Sequence, residues 1–116
     1  MSKSPAKPKY GNKQKAASDG KVFSSQRECR RYEELLLLYK MGKITQPECQ
    51  VAYELIPKQD GERSCVYLAD FVYRDVTPAG IIAGMHVEDT KGFRTKEYVI
   101  KRKLMLWVHK IRIEEI

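Results

Sequence analysis

The sequence predicts an α/β domain in which a helix, three strands, a second helix and a final strand follow one another. Three observations carry this prediction. Apolar residues recur at helical spacing from Cys29 to Tyr39, two β-prone runs at 65–73 and 81–89 flank a Thr-Pro-Ala-Gly turn, and a second helical pattern covers about residues 95–109. Since helical and strand patterns alternate along one chain, we expect a mixed sheet flanked by helices.

The first helix is predicted to begin at Ser25. Ser25 and Glu28 have the spacing of a capping box, and the apolar helical positions follow directly. Gly42 comes just after the last apolar position, between Lys40 and Lys43, which suit the negative end of a helix dipole. The helix should therefore end at Gly42.

The remaining elements follow from alternation and turn chemistry. Residues 50–55 alternate as in a strand, and 65–73 and 81–89 are rich in Val, Ile, Tyr and Phe, so these two runs should form an antiparallel hairpin. A second helix is predicted from its cap at Thr95 to about His109, and 111–114 should form a short closing strand.

Charge is distributed unevenly along the 116 residues, whose net charge is +7. Residues 1–22 contain six lysines, one aspartate and few apolar residues, so they are predicted to be a flexible basic arm. Residues 23–116 should form a single domain. No apolar run reaches the length of a membrane span or signal peptide, and the three cysteines are far apart, so we expect a soluble intracellular protein without disulfides.

The candidate chemistry lies on the predicted hairpin. Asp89 and Lys91 are two residues apart, and side chains in a strand alternate, so both should project from one face while Glu88 points the other way. The hairpin should bring Asp70 within a diagonal step of Asp89. Asp70 also lies between apolar neighbours, where a solvated strand-end acid would be unusual.

Two carboxylates beside an amine suit the hydrolysis of a phosphodiester. Mg²⁺ is commonly held by one or two carboxylates, water and substrate phosphate. The ion would neutralise phosphate charge and acidify a bound water, while Lys91 would orient that water or stabilise the transition state. An ordinary surface position for Lys91, before the turn at Gly92, is the alternative.

The ordered motif resembles that of the PD-(D/E)XK nucleases, as Asp70 followed by Asp89-Thr90-Lys91. Ala69 stands where the family name has proline. Three stretches are similar to a small phage and prophage family within that superfamily, which is described as Holliday junction resolvase-like. They are FSSQRECRRYEEL at 23–35, YLADFVY at 67–73 and VEDTKGFRT at 87–95.

The resemblance implies a restriction-endonuclease-like core and a Mg²⁺-dependent endodeoxyribonuclease, with Mn²⁺ as a possible substitute. It further implies branched DNA as the substrate, cleavage by direct hydrolysis, a homodimer and a location in the bacterial cytoplasm. Within the site, it implies that Glu28 is a third metal ligand and that Gln50 lies nearby to orient water or DNA. A capping role for Glu28 and a polar strand cap at Gln50 are the alternatives.

Seven basic residues are candidates for phosphate contacts, because Lys and Arg bind phosphate and Arg does so bidentately. Solvated helix faces are the alternative for each, although Lys101 could face the active site. They are Arg27, Arg30, Arg31, Arg94, Lys96, Lys101 and Lys103.

Two other functions stay open at this stage. One is a nickase, repair or restriction-type nuclease that uses the same site on a different DNA. The other is a non-catalytic DNA-binding phage protein whose basic arm makes the contacts.

Overall fold

A computed structural model describes residues 14–116 as an α/β fold with a mixed four-stranded sheet and two helices. This agrees with the predicted class. The elements are β1 (Lys15–Ala16), β2 (Val22–Phe23), α1 (Gln26–Lys40), β3 (Glu48–Ile56), β4 (Cys65–Val76), β5 (Ile82–Asp89), α2 (Lys96–Leu104), a π-helical turn (Met105–His109) and β6 (Glu114–Glu115).

The element order differs from the prediction because two short strands precede α1. β1 and β2 pair antiparallel, and Ala17 and Phe23 are buried in a cluster with Tyr32. Residues 15–23 are therefore folded, and the predicted basic arm is too long by this hairpin. This segment contains few apolar residues, so its sequence did not predict the β1–β2 hairpin. The hairpin depends on packing against α1 rather than on a local pattern. Residues 1–13 of the predicted arm lie outside the described residues.

Helix α1 begins and ends where the sequence predicts. The Ser25 hydroxyl accepts the Glu28 N–H at 3.2 Å, and Gly42 has a φ of +74°, a conformation that glycine adopts without strain. The second half of the capping box differs, because the Glu28 carboxylate accepts a hydrogen bond from Ser24 Oγ at 3.2 Å. The Glu28 carboxylate therefore bonds to Ser24 instead of accepting the backbone N–H of Ser25, as a capping box requires.

The sheet has the order β3-β4-β5-β6. β4 and β5 form the predicted antiparallel hairpin, with Phe71 opposite Glu88, and β6 runs parallel to β5. β3 pairs antiparallel with β4 over most of its length. The end of β5 thus lies between two strands, which limits the positions that its last residues can take.

Buried apolar residues form two clusters, and β4 contributes to both. Tyr67 and Ala69 belong to the α2 core, the cluster around Tyr98, whereas Phe71 and Tyr73 belong to the α1 core around Tyr32. In a regular strand these four alternate residues would share one face. Along this set of alternate residues, the change from the α2 core to the α1 core therefore falls between Ala69 and Phe71, on either side of Asp70.

Helix α2 begins as predicted, with the Thr95 hydroxyl accepting the Tyr98 N–H at 3.0 Å. The predicted helix to His109 is α-helical only to Leu104, and a wider π-helical turn completes it. Met105 in that turn is fully buried in the α2 core. Among residues 14–116, no helix has both the length and the hydrophobicity that crossing a membrane requires.

Candidate active site

Asp70 is anchored to the residue that follows Asp89. Its Oδ2 accepts hydrogen bonds from the backbone N–H of Thr90 at 2.8 Å and from the Thr90 hydroxyl at 2.9 Å. One further step along the β4–β5 register from Phe71 and Glu88 leads to Asp70 and Asp89. The two predicted acids therefore meet where the two strands end their pairing, as the hairpin prediction required.

The Asp89 carboxylate is buried and only half hydrogen-bonded. The residue is 2% exposed, and its Oδ2 accepts a hydrogen bond from the Tyr67 hydroxyl at 2.7 Å. Of the buried side-chain polar atoms in residues 14–116, Oδ1 is the one without a hydrogen-bond partner. Burial, reinforced by the negative charge of Asp70, raises the pKa of Asp89, against the opposing effects of Tyr67 and Lys91.

The Nζ of Lys91 lies 4.0 Å from this unpaired oxygen, Asp89 Oδ1. The two side chains are therefore neighbours, although Lys91 lies beyond the last residue of β5. Both residues line a pocket of about 250 Å³, and the ammonium of Lys91 lies 5.2 Å from the centre of the Tyr98 ring. The complete lining is Val66, Tyr67, Leu68, Asp89, Lys91, Thr95, Glu97, Tyr98 and Lys101.

Glu28 approaches the site from the first turn of α1. Its pKa is raised mainly by burial and then by the negative charges of Asp70 and Asp89, while Ser24 and Lys91 lower it. Glu28 is thus within electrostatic range of the predicted centre. The other two acids of α1 have partners elsewhere, since Glu33 accepts from Ser18 Oγ and Glu34 accepts from Arg31.

Gln50 lies opposite Asp70 on β3 and is the third residue of that strand, not its first. Its Nε2 donates a hydrogen bond to Asp70 Oδ1 at 3.2 Å. Its φ is +53°, in the left-handed region that side chains other than glycine adopt at a cost of about 1–3 kcal/mol. This strained residue of β3 lies beside the position where β4 passes from one core to the other.

The carboxylates of Asp70 and Asp89 are the candidates at this site for holding a divalent cation. In the part of the chain that the structure describes, no three His, Cys, Asp or Glu side chains lie close enough together to hold a metal ion. The predicted three-acid ligand set with Glu28 is therefore not assembled. Asp89 Oδ1, without a hydrogen-bond partner, and Asp70, on the neighbouring strand, offer the hard oxygen donors that Mg²⁺ prefers.

Arg31 is a correction to the predicted phosphate contacts. Its Nε and Nη2 donate to the two carboxylate oxygens of Glu88 at 2.8 and 2.6 Å, and Tyr73 donates to the same carboxylate. Glu88 is 1% exposed. The Arg31 guanidinium therefore pairs within the fold, with Glu88 and with Glu34.

The other basic candidates are distributed around the site. Lys101 lines the pocket beside Lys91 and forms an ion pair with Glu97 at 3.1 Å. Arg27 donates to the carbonyl of Ile116 at 3.1 Å. Arg94 is paired with Glu115, and the exposed remainder are Arg30, Lys96 and Lys103.

Sequence reasoning missed two residues that position the acids. Thr90 holds Asp70, and Tyr67 holds Asp89. Thr90 is the variable position between Asp89 and Lys91, and Tyr67 lies three residues before Asp70. The hydroxyl groups were the available signal, but only the strand register shows which carboxylate each one reaches.

The chain belongs to a family described as "Protein of unknown function (DUF1064)", whose model matches residues 7–113. No curated protein and no solved structure matches the chain. The geometry and charges of the site are therefore the evidence for an activity.

Proposed function

We propose that the chain is a Mg²⁺-dependent DNA endonuclease with a restriction-endonuclease-like fold and with Asp70, Asp89 and Lys91 at its centre. One observation carries the proposal. Asp89 is a buried carboxylate with a free oxygen 4.0 Å from Lys91, and Thr90 joins it to a second carboxylate at Asp70.

This arrangement is costly for a residue with a purely structural role. An unsatisfied buried polar atom costs about 1–3 kcal/mol, and more when the group is charged. Gln50 adds backbone strain beside the same carboxylates. Such costs concentrate at functional sites, where a ligand or substrate uses the unpaired group.

In this proposal the residues at the site have separate roles in holding the cation, binding the phosphate and positioning the acids. Asp70 and Asp89 would hold the cation, and Mg²⁺, or Mn²⁺ in its place, would supply phosphate neutralisation and an acidified water. Lys91 binds the scissile phosphate or orients the attacking water. Gln50 orients Asp70, and Glu28 is the further acid whose charge interacts with those of Asp70 and Asp89.

Charge and the sequence motif together support a polyanionic substrate. The chain has a net charge of +7, and Lys101 lies in the pocket beside Lys91. The resemblance to resolvase-like PD-(D/E)XK nucleases supports branched DNA as the substrate. Paired cuts in a four-way junction need two active sites, so we further propose that the enzyme acts as a homodimer in the bacterial cytoplasm.

The first test is cleavage of a labelled four-way junction, a replication fork, linear duplex and single strands, with Mg²⁺ and with chelator. We expect Lys91→Ala and Asp70→Ala to abolish metal-dependent cutting. Lys40→Ala is the matched control, since Lys40 is an exposed lysine twelve residues, or about 18 Å, along α1 from Glu28. It should cut like the wild type.

Each outcome assigns a different function. Paired cuts in the junction support the resolvase, whereas cutting without junction preference favours another type of DNA nuclease. Metal-dependent cutting that survives Asp70→Ala in nuclease-free preparations would refute the site. Mn²⁺ binding, followed by electron paramagnetic resonance, gives a readout apart from activity and should be lost in Asp89→Asn. DNA binding without any cutting would instead favour a non-catalytic DNA-binding protein.

A further inference from the structure

The loop between β5 and α2 presents an aromatic side chain to solvent beside the candidate active site. Phe93 is 78% exposed and lies two residues after Lys91. Two residues span at most about 7 Å, and successive nucleotides of one strand are about 3.4 Å apart along a helix axis. The Cα atoms of Lys91 and Phe93 are therefore separated by no more than about two nucleotide steps.

Cationic residues lie close to Phe93 along the chain and at the neighbouring Gly92. Arg94 follows Phe93, and Arg27 lies against Gly92, where an added Cβ would be 3.7 Å from Arg27 Nη1. The guanidinium of Arg27 thus lies close to the backbone of the loop at Gly92. Lys91 and Arg94 thus flank Phe93 in the sequence, and Arg94 is also paired with Glu115.

An exposed aromatic ring among cations is the usual composition of a surface that binds unpaired nucleotides. The cations track the backbone, and a base stacks on the ring, because every base has a flat π-face whatever its identity. In an intact duplex the bases are stacked on one another, so the ring has no face to bind. An exposed ring at this position would therefore favour DNA with unpaired bases next to the cut phosphate.

We propose that Phe93 stacks on an unpaired base and directs the enzyme to forks, flaps and branch centres. The choice of ligand rests on the proposed nuclease function. Phe93 acts in substrate selection, and it takes no part in the reaction at Asp70, Asp89 and Lys91.

The test measures binding in the presence of chelator, so that no cutting is needed. One probe is a forked DNA with 2-aminopurine as the first unpaired base, and the other is the fully paired duplex of equal length. We expect Phe93→Ala to weaken binding to the fork by roughly tenfold and to abolish the change in 2-aminopurine fluorescence. Binding to the duplex should change less than about twofold.

Two variants control for the ring and for surface aromatics in general. Phe93→Tyr keeps a stacking face and should bind the fork like the wild type. Trp107→Ala removes another exposed ring, 76% exposed in the π-helical turn, and should leave both affinities unchanged. A general contribution of exposed aromatic rings to binding would instead affect both sites.

The outcomes separate this inference from the proposed function. Wild-type affinity of Phe93→Ala for the fork, or equal losses on fork and duplex, overturns the role of Phe93 even if the enzyme cuts DNA. A fork-specific loss in a protein that never cuts supports Phe93 and refutes the nuclease. A change only in the oligomeric state of Phe93→Ala, measured by sedimentation, would make Phe93 part of a protein interface and overturn the inference.

Discussion

Removal of Arg31 should destabilise the fold far more than removal of its neighbour on α1. Arg31 makes two charge-assisted hydrogen bonds with Glu88, which is 1% exposed. Arg31→Met would leave that carboxylate buried with Tyr73 as its remaining partner. Breaking a buried ion pair from one side costs about 3–5 kcal/mol, a large share of the roughly 5–15 kcal/mol that holds a domain together.

The assay is urea denaturation at neutral pH, followed by circular dichroism. Arg30→Met is the matched control, because Arg30 is the adjacent arginine and is exposed, so its loss should cost less than about 0.5 kcal/mol. Adding Glu88→Gln to Arg31→Met should recover part of the stability, since the side chain at position 88 is then neutral.

Two results would refute this reasoning. One is a loss below about 1 kcal/mol in Arg31→Met, which would mean that Glu88 is not buried as a charge. The other is a double variant less stable than Arg31→Met alone. DNA affinity adds a functional check, because Arg30→Met should weaken binding in proportion to one lost phosphate contact while the fold stays intact.

Three further predictions concern the site and the sheet. Gln50→Gly should be more stable than Gln50→Ala by roughly 0.5–1 kcal/mol in thermal denaturation, because both variants lose the hydrogen bond to Asp70 but glycine accepts the φ of +53° without strain; equal stabilities would contradict this. Tyr67→Phe should reduce DNA cleavage by about tenfold or more with little change in DNA affinity, since Asp89 loses the hydroxyl that orients it; an unchanged rate would show that Asp89 needs no such support. The pKa of His86 is raised by its hydrogen bond to Asp75 and then by Glu114, so the stability that these contacts add is present below the unfolded pKa of about 6.5 and is lost as pH rises through the folded pKa. His86→Gln should therefore be destabilising in urea near pH 5 and nearly neutral near pH 9, and equal effects at both pH values would argue against the charged pair.

The sequence predicted the elements that local chemistry specifies. Ser25 and Thr95 cap the two helices, Gly42 follows the end of α1, and the turn at 77–80 joins the hairpin that carries Asp70 and Asp89. These signals act between residues a few positions apart, so they can be recognised without knowledge of the rest of the fold.

The errors arose where distant segments decide the outcome. The β1–β2 hairpin has weak local signals and is held by burial of Ala17 and Phe23 in the α1 core. Arg31 and Glu88 are 57 residues apart, so nothing near either residue showed that Arg31 serves the core. A surface position was the natural expectation for an arginine on an amphipathic helix.

The sequence by itself predicted that Asp89 and Lys91 lie close together and that a hairpin brings Asp70 near them, because residue spacing and turn position are local properties. Only the tertiary structure decided that Asp89 is buried with a free oxygen, that Thr90 and Tyr67 hold the two acids, and that Gln50 has a strained backbone opposite Asp70. Burial, register and strain depend on which strands and helices pack together, and that packing is a property of the whole chain.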